Sequence, residues 1–279
     1  MTGWRWVTGG GYTPAGRWVV DLADGSTAFA KVGTTENTAS WLRTEHETYR
    51  RLTAGFMPRL LGWDDRDAPI LLLEDLSGAV WPPPWSNETV ERVLTLLGDL
   101  RATPPPDHLP SLERSRAELA GWERVAAEPQ SFLALGICSA AWLELALPAL
   151  VRADAEADLS GGELLHLDVR SDNVCFAGER TLLVDWNLAA VGNATLDLVA
   201  WLPSLTDEGG PPPDELVSNE AELVALIAGY FADHARQPHI PDAPRVRPAQ
   251  RRLLQIALPW AARALDLPPP QRVSVPVTR

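Results

Sequence analysis

Four proline triplets, Pro82-Pro83-Pro84, Pro104-Pro105-Pro106, Pro211-Pro212-Pro213 and Pro268-Pro269-Pro270, cut this chain into segments. Proline has no amide hydrogen and a fixed φ, so neither a helix interior nor a central strand runs through a triplet. Each triplet marks a connection, and regular structure must lie between them. Before the first triplet most segments are short and β-prone. After it they are mostly helical.

Residues 4–8, 17–22 and 27–32 read as three consecutive antiparallel strands. The second gap, Ala23-Asp24-Gly25-Ser26, carries an Asp-Gly pair, a strong hairpin signal. A helix follows over 36–54, with Leu42, Glu45, Tyr49 and Leu52 on one face. Glu45 thus sits in an apolar stripe, where a carboxylate is costly unless paired. Extended segments at 58–63 and 70–76 complete this part. Beyond a connector near residue 76, Ser86 can cap a helix carrying Val90, Val93, Leu94, Leu97 and Leu100. Helices are expected at 112–127 and at 140–157, the second bent at Pro148. Strands at 164–168, 174–177 and 181–185 form a β-island, and helices return at 196–205, 215–235 and 248–265. The expected architecture is α+β and bilobal. A small antiparallel-sheet lobe, 1–76, precedes a larger, mainly helical lobe, 77–279, and a cleft between lobes is a usual place for a ligand.

The formal net charge of −13 repels the phosphates of DNA and RNA, so no nucleic-acid partner is expected. The same charge attracts a cationic small molecule, although solubility alone accounts for acidity as readily. Two distant cysteines, Cys138 and Cys175, form neither a CxxC nor a Cys/His cluster, which argues against structural zinc. The N-terminus has no apolar signal-peptide core, and no stretch reaches about 18 apolar residues. A cytoplasmic protein with no membrane partner is expected.

Chemistry concentrates in His166-Leu167-Asp168-Val169-Arg170-Ser171-Asp172-Asn173, followed by Leu182-Leu183-Val184-Asp185-Trp186. An Asp five residues before an Asn, with a second Asp at the end of an apolar strand, fits phosphoryl transfer. One carboxylate orients a hydroxyl and accepts its proton, while an amide oxygen and a second carboxylate offer the hard oxygen donors that Mg²⁺ requires.

Those segments, with the strand–helix order around them, resemble the aminoglycoside phosphotransferase family, small-molecule kinases of the protein-kinase-like fold. The resemblance covers most of the chain. It implies transfer of the γ-phosphate of ATP or GTP to a hydroxyl of a small molecule, with Mg²⁺ as cofactor. Asp168 then resembles the catalytic base, and Asn173 and Asp185 the metal ligands. Lys31, at the end of the third strand, resembles the lysine that grips the triphosphate. Glu45 resembles its helix partner, which agrees with the need of a glutamate on an apolar face for a buried cation; Glu47 is the runner-up. Two departures stand out: Leu167 replaces the usual glycine of His-Gly-Asp, and Asn187 stands where an acidic residue is common.

Other residues have two readings each. The glycine-rich stretch that includes Gly11 and Gly16 either folds over the phosphates or is an ordinary hairpin turn. Its near-Walker spacing fails at Arg17-Trp18. The segment at 70–76 resembles an interlobe hinge, with the backbone of Glu74 and Leu76 meeting the nucleobase, or is a plain buried strand. His166 reads as structural support for the catalytic loop rather than as a ligand, and Asp172 as a loop or capping residue. Asp197 braces the metal loop or caps its helix. Trp81 and Trp85 line a pocket or belong to the core. Asp207 and Glu208 bind a substrate amine or lie in a solvated loop.

A protein kinase is disfavoured, because only about ten residues separate Asp185 from the next helix and no Ala-Pro-Glu motif follows. A nucleotide-binding pseudoenzyme is disfavoured by the intact Lys, Asp, Asn, Asp set. A metabolic kinase for choline, a sugar or an amino alcohol remains the main alternative to an antibiotic kinase. Fold does not choose between them.

Overall fold

The computed structural model describes residues 3–7, 15–241 and 243–271. They form two compact units, one from Met1–Pro110 with Gly162–Asp197 and one from Ser111–Gly161 with Leu198–Arg279.

The first unit is built on a five-stranded antiparallel sheet in the order β1-β2-β3-β5-β4. Its strands are β1 (Gly3–Trp6), β2 (Gly16–Asp21), β3 (Thr27–Val32), β4 (Leu60–Asp64) and β5 (Ile70–Glu74). The Asp24-Gly25 turn forms as expected: Gly25 takes φ +85° and Asp24 Oδ1 accepts from the Ser26 amide. Strand alternation then sorts the sheet into two faces. Val20, Ala28 and Ala30 pack on one with Trp18, Leu22 and Leu72. The odd-numbered residues Val19, Phe29 and Leu73, paired across the sheet, take the other.

Helix α1 (Glu36–Arg51) starts at a reciprocal cap, in which Thr35 Oγ1 accepts from the Thr38 amide and Thr38 Oγ1 from the Thr35 amide. It ends three residues before the expected 54, because Leu52 turns extended. Helix α2 (Asn87–Ala102) begins at the Ser86 cap, as the sequence indicates.

The second piece of this unit carries β6 (Glu163–Leu165), β7 (Val174–Ala177), β8 (Arg180–Leu183) and β9 (Ala190–Gly192). Strands β7 and β8 form a hairpin, and β6 pairs with β9, a three-residue strand that the sequence reading misses. Two backbone bonds, Leu183 N–H to Phe56 O at 2.8 Å and Val184 N–H to Asn173 O at 2.9 Å, tie the hairpin into the unit.

The second unit is helical. The single helix expected at 112–127 is instead a 3-10 turn (Leu112–Ser115), α3 (Arg116–Leu119) and α4 (Trp122–Ala127). The break has a tertiary cause. Asp154 Oδ2 accepts the Trp122 amide at 3.0 Å, and a Cβ on Gly121 would come within 1.9 Å of the Gly229 carbonyl oxygen. Next come α5 (Pro129–Leu133) and α6 (Ala140–Glu156), the latter with Pro148 inside it. Helix α7 (Thr195–Asp207) has its first three residues in the first unit, and α8 (Ala221–Ala235) and α9 (Val246–Ala264) follow. Trp122, Phe132, Leu150, Trp201 and Trp260 are buried at its centre, and Asp233 pairs with Arg124 and Arg236. Among the described residues no helix is long and apolar enough to cross a membrane. Both cysteines are buried and free.

Candidate active site

A pocket of about 500 Å³ opens within the first unit. Lys31, Glu45, Glu74, Leu76, Asn173 and Asp185 all line it, so the structure brings together residues up to 154 positions apart.

Lys31 Nζ lies 2.7 Å from Glu45 Oε2 and 2.7 Å from Asp185 Oδ1. Burial lowers the lysine's proton affinity, but the two carboxylates outweigh it and push the pKa up to about 12. Burial likewise opposes ionisation of Asp185, and the Lys31 charge overrides it, holding that carboxyl below its ordinary value. Glu45 is the lysine's helix partner. Glu47, the runner-up, instead pairs with Arg50 and Arg51 on the helix's exposed side.

The segment 166–173 connects β6 to β7. Asn173 Nδ2 donates to Asp168 Oδ2 at 2.7 Å and to the Asp168 carbonyl at 2.9 Å. Arg170 reaches Asp168 Oδ1 and Asp172 Oδ2, each at 3.1 Å. Burial raises the Asp168 pKa to about 6, against the lowering by Arg170 and with further raising by Asp185 and Asp172. Asp172 therefore does more than cap a loop: it lines the pocket and shares Arg170 with Asp168.

Three buried groups hold this segment. Asp197 Oδ2 and Oδ1 accept the backbone amides of His166 and Leu167, each at 2.7 Å. Asp197 thus braces the loop around Asp168 from the first turn of α7. His166 Nδ1 accepts the Asp168 amide at 3.2 Å, which places the ring proton on Nε2, 3.0 Å from the Val184 carbonyl that accepts it. Burial lowers the His166 pKa to about 4, so the ring is neutral. Trp186 meets that ring edge-on at 4.7 Å. Leu167, where glycine is usual, takes φ +62°, and Asp185 takes φ +69°. A leucine there carries about 1–2 kcal/mol of strain, and the two Asp197 bonds hold the backbone in place.

Around the proposed hinge, the Glu74 amide donates to Arg59 O at 2.9 Å and is committed to the sheet. The Glu74 carboxylate pairs with Arg180 at 2.7 Å. Leu76 faces the pocket with Trp81; Trp85 does not line it. Gly16 is buried on the opposite face of β2 from Arg17, and its missing Cβ leaves room for the Trp18 ring, which an added Cβ would meet at 2.2 Å. Gly11 lies outside the described residues. Asp207 and Glu208 belong to the second unit, where Asp207 pairs with Arg252 at 3.0 Å.

Sequence reasoning missed Arg5, Arg17 and Ser171, which also line the pocket. For Arg17 the signal was the strand register opposite Lys31, which the hairpin turn leaves uncertain by one residue.

The donor set suits a hard cation. Asn173 spends its amide nitrogen on Asp168, leaving its oxygen, and Asp185 spends one oxygen on Lys31. Among the described residues no group of three or more His, Cys, Asp or Glu could hold a metal alone. Two oxygen side chains that leave further positions to phosphate and water fit Mg²⁺ better than an all-protein cage.

Such a sheet, with its paired lysine and glutamate and an Asp…Asn loop, defines the class of protein-kinase-like phosphotransferases. Residues 8–239 match the model of the phosphotransferase enzyme family, and the chain belongs to that family. It is a phosphotransferase. No curated protein sequence matches it. Among solved structures, it is similar to a choline/ethanolamine kinase family protein from Mesorhizobium loti, with 15% identity, TM-score 0.56, and coverage of 95% of this chain and 92% of that one. It is also similar to the amicoumacin kinase hAmiN in complex with AMP-PNP, Ca²⁺ and Ami, with 11% identity, TM-score 0.53, and coverage of 90% and 87%. At these identities the likeness concerns the fold.

Proposed function

We propose that this chain transfers the γ-phosphate of ATP or GTP to a hydroxyl of a cationic small molecule, an antibiotic or related natural product of aminoglycoside type. The observation that carries the reading is the convergence on one pocket of Lys31, Glu45, Asn173 and Asp185, with the Asp168 carboxylate held by Asn173. Residues 1–76 supply the nucleotide-binding sheet, and residues 77–279 the catalytic loop and acceptor pocket.

Asp168 orients the acceptor hydroxyl and takes its proton as the oxygen bonds to phosphorus and the bond to the β-phosphate oxygen breaks. Asn173 and Arg170 fix the two carboxylate oxygens, so the base is aimed before the acceptor arrives. Lys31, positioned by Glu45, binds the phosphate chain. Asn173 and Asp185 would hold Mg²⁺, which offsets charge on the phosphate oxygens. A kinase of this fold has been solved with AMP-PNP and Ca²⁺, which supports a nucleotide with a divalent cation. Transfer is direct, with no phosphoenzyme. Helix α7 begins ten residues after Asp185, leaving no long activation segment and favouring a small acceptor over a protein.

The net charge of −13 supports a basic acceptor over a neutral sugar. A cytoplasmic location accords with use of ATP. The test is product mass spectrometry with ATP, Mg²⁺ and panels of aminoglycosides, other antibiotics, choline, amino alcohols and sugars. A phosphorylated aminoglycoside or other cationic antibiotic is expected. Phosphate transfer confined to choline, amino alcohols or neutral sugars would overturn the acceptor assignment.

A further inference from the structure

The pocket holds an unresolved charge imbalance. Lys31 is already shared by two carboxylates at 2.7 Å, so Lys31, Glu45 and Asp185 together carry a net charge of minus one. A phosphate chain brought against this triad meets net repulsion from the protein side. Mg²⁺ at Asn173 and Asp185 would offset part of that repulsion, and a further cation from the protein itself would offset more.

Three arginines lie near enough to serve. Arg170 is held between Asp168 and Asp172. Arg5 donates to Ser77 Oγ at 2.5 Å, beside the segment that follows β5. Arg17 is placed differently. The β2–β3 register sets it directly across from Lys31, and the two-residue period of a strand sends both side chains to the pocket face. Arg5, Val19, Phe29 and Leu73 form one row across that face, and Arg17 and Lys31 belong to the next row. The first row is apolar apart from Arg5; the second carries the two cations, with Leu71 beside Lys31. Arg17 is half-buried, and its positive charge acts on Asp185.

We propose that Arg17 is a second phosphate-binding cation, gripping the nucleotide's phosphate chain from β2 while Lys31 grips it from β3. This rests on the nucleotide-binding reading above and adds to it a residue and a division of labour. Arginine suits the task, because its planar fork donates two parallel hydrogen bonds to phosphate oxygens and it stays charged beside carboxylates. The apolar row receives the base and the cationic row the phosphates.

The test is calorimetric binding of AMP-PNP, ADP and adenosine to the full chain and its variants Arg17→Ala, Arg17→Lys and Arg66→Ala. Arg66 pairs with Asp64 at the exposed end of β4 and controls for loss of one positive charge. Arg17→Ala should weaken AMP-PNP and ADP ~10- to 100-fold, as expected for a charged hydrogen bond, and leave adenosine unchanged. Arg17→Lys should recover part of the loss, and Arg66→Ala should bind as wild type. Wild-type affinity of Arg17→Ala for AMP-PNP would overturn the inference while leaving the proposed function standing. An equal loss for adenosine would overturn it too, by showing a general distortion of the sheet. Failure of the wild-type chain to bind any nucleotide would overturn both.

Discussion

Each compact unit buries an aspartate that accepts backbone amides, and the two aspartates hold different things. Asp197 uses both oxygens, at 2.7 Å each, on the amides of His166 and Leu167, beside a residue in the left-handed region. Asp154 uses Oδ2 on the Trp122 amide at the start of α4, and its Oδ1 has no hydrogen-bond partner among the described residues. Burial dominates both carboxyls and raises their pKa values, to about 7 for Asp197 and about 6 for Asp154. The first aspartate fixes a strained loop that presents Asp168; the second caps a helix from another helix. Equal burial and similar chemistry therefore carry different functional weight, decided by what the held backbone presents.

The comparison gives its largest effect in Asp197→Ala. Two amides lose their acceptor, at about 1–3 kcal/mol each in stability, and Asp168 loses its setting. Phosphotransferase turnover should fall ~1000-fold, on the scale of losing a positioned base. Asp154→Ala should cost about 1–3 kcal/mol in urea unfolding yet leave turnover within about threefold of wild type. If Asp154→Ala impaired turnover as severely as Asp197→Ala, with both proteins folded, the distinction would fail.

The pH dependence is intermediate in size. A carboxyl whose folded pKa lies above its unfolded value favours the fold at low pH, because the native state holds the proton more tightly. For Asp154 that contribution is complete below pH 3.8 and is lost as pH rises through about 6. It is on the order of a few kcal/mol, since each tenfold gain in proton affinity is worth about 1.4 kcal/mol. Asp154→Asn should flatten the stability profile across that window, measured by urea unfolding at stepped pH. An unchanged slope would place the pH dependence elsewhere.

The smallest effect is expected at Leu167. Glycine relieves about 1–2 kcal/mol of left-handed strain but forfeits the packing of a half-buried leucine. Leu167→Gly should stay within about 1 kcal/mol of wild-type stability, since the two effects offset. A loss of about 3 kcal/mol, the scale of a fully buried leucine side chain, would show that packing, not strain, governs the position.

Legibility in the sequence followed the range of the interactions. Asp168, Asn173 and Asp185 stand out because their chemistry lies within one short stretch. Glu45 stands out because a charge on an apolar helix face needs a partner, and Lys31 supplies it. Arg17 did not stand out, since its meaning depends on register, and a one-residue slip turns it to the other face. The break between α3 and α4 was hidden because its cap, Asp154, comes from a different helix. The packing at Gly16 was hidden for a related reason: its smallness serves the ring of Trp18, two residues along the same strand face.

The proposed chemistry turns on Asp168, which adjoins the pocket through Asn173 and whose carboxylate Asn173 and Arg170 hold from either side. The direct measurement is single-turnover phosphate transfer by wild type and Asp168→Asn, with a phosphorylatable acceptor and with nucleotide affinity followed in parallel. Turnover should fall ~10²- to 10⁴-fold while AMP-PNP binds as before. Unchanged turnover by Asp168→Asn would contradict the account.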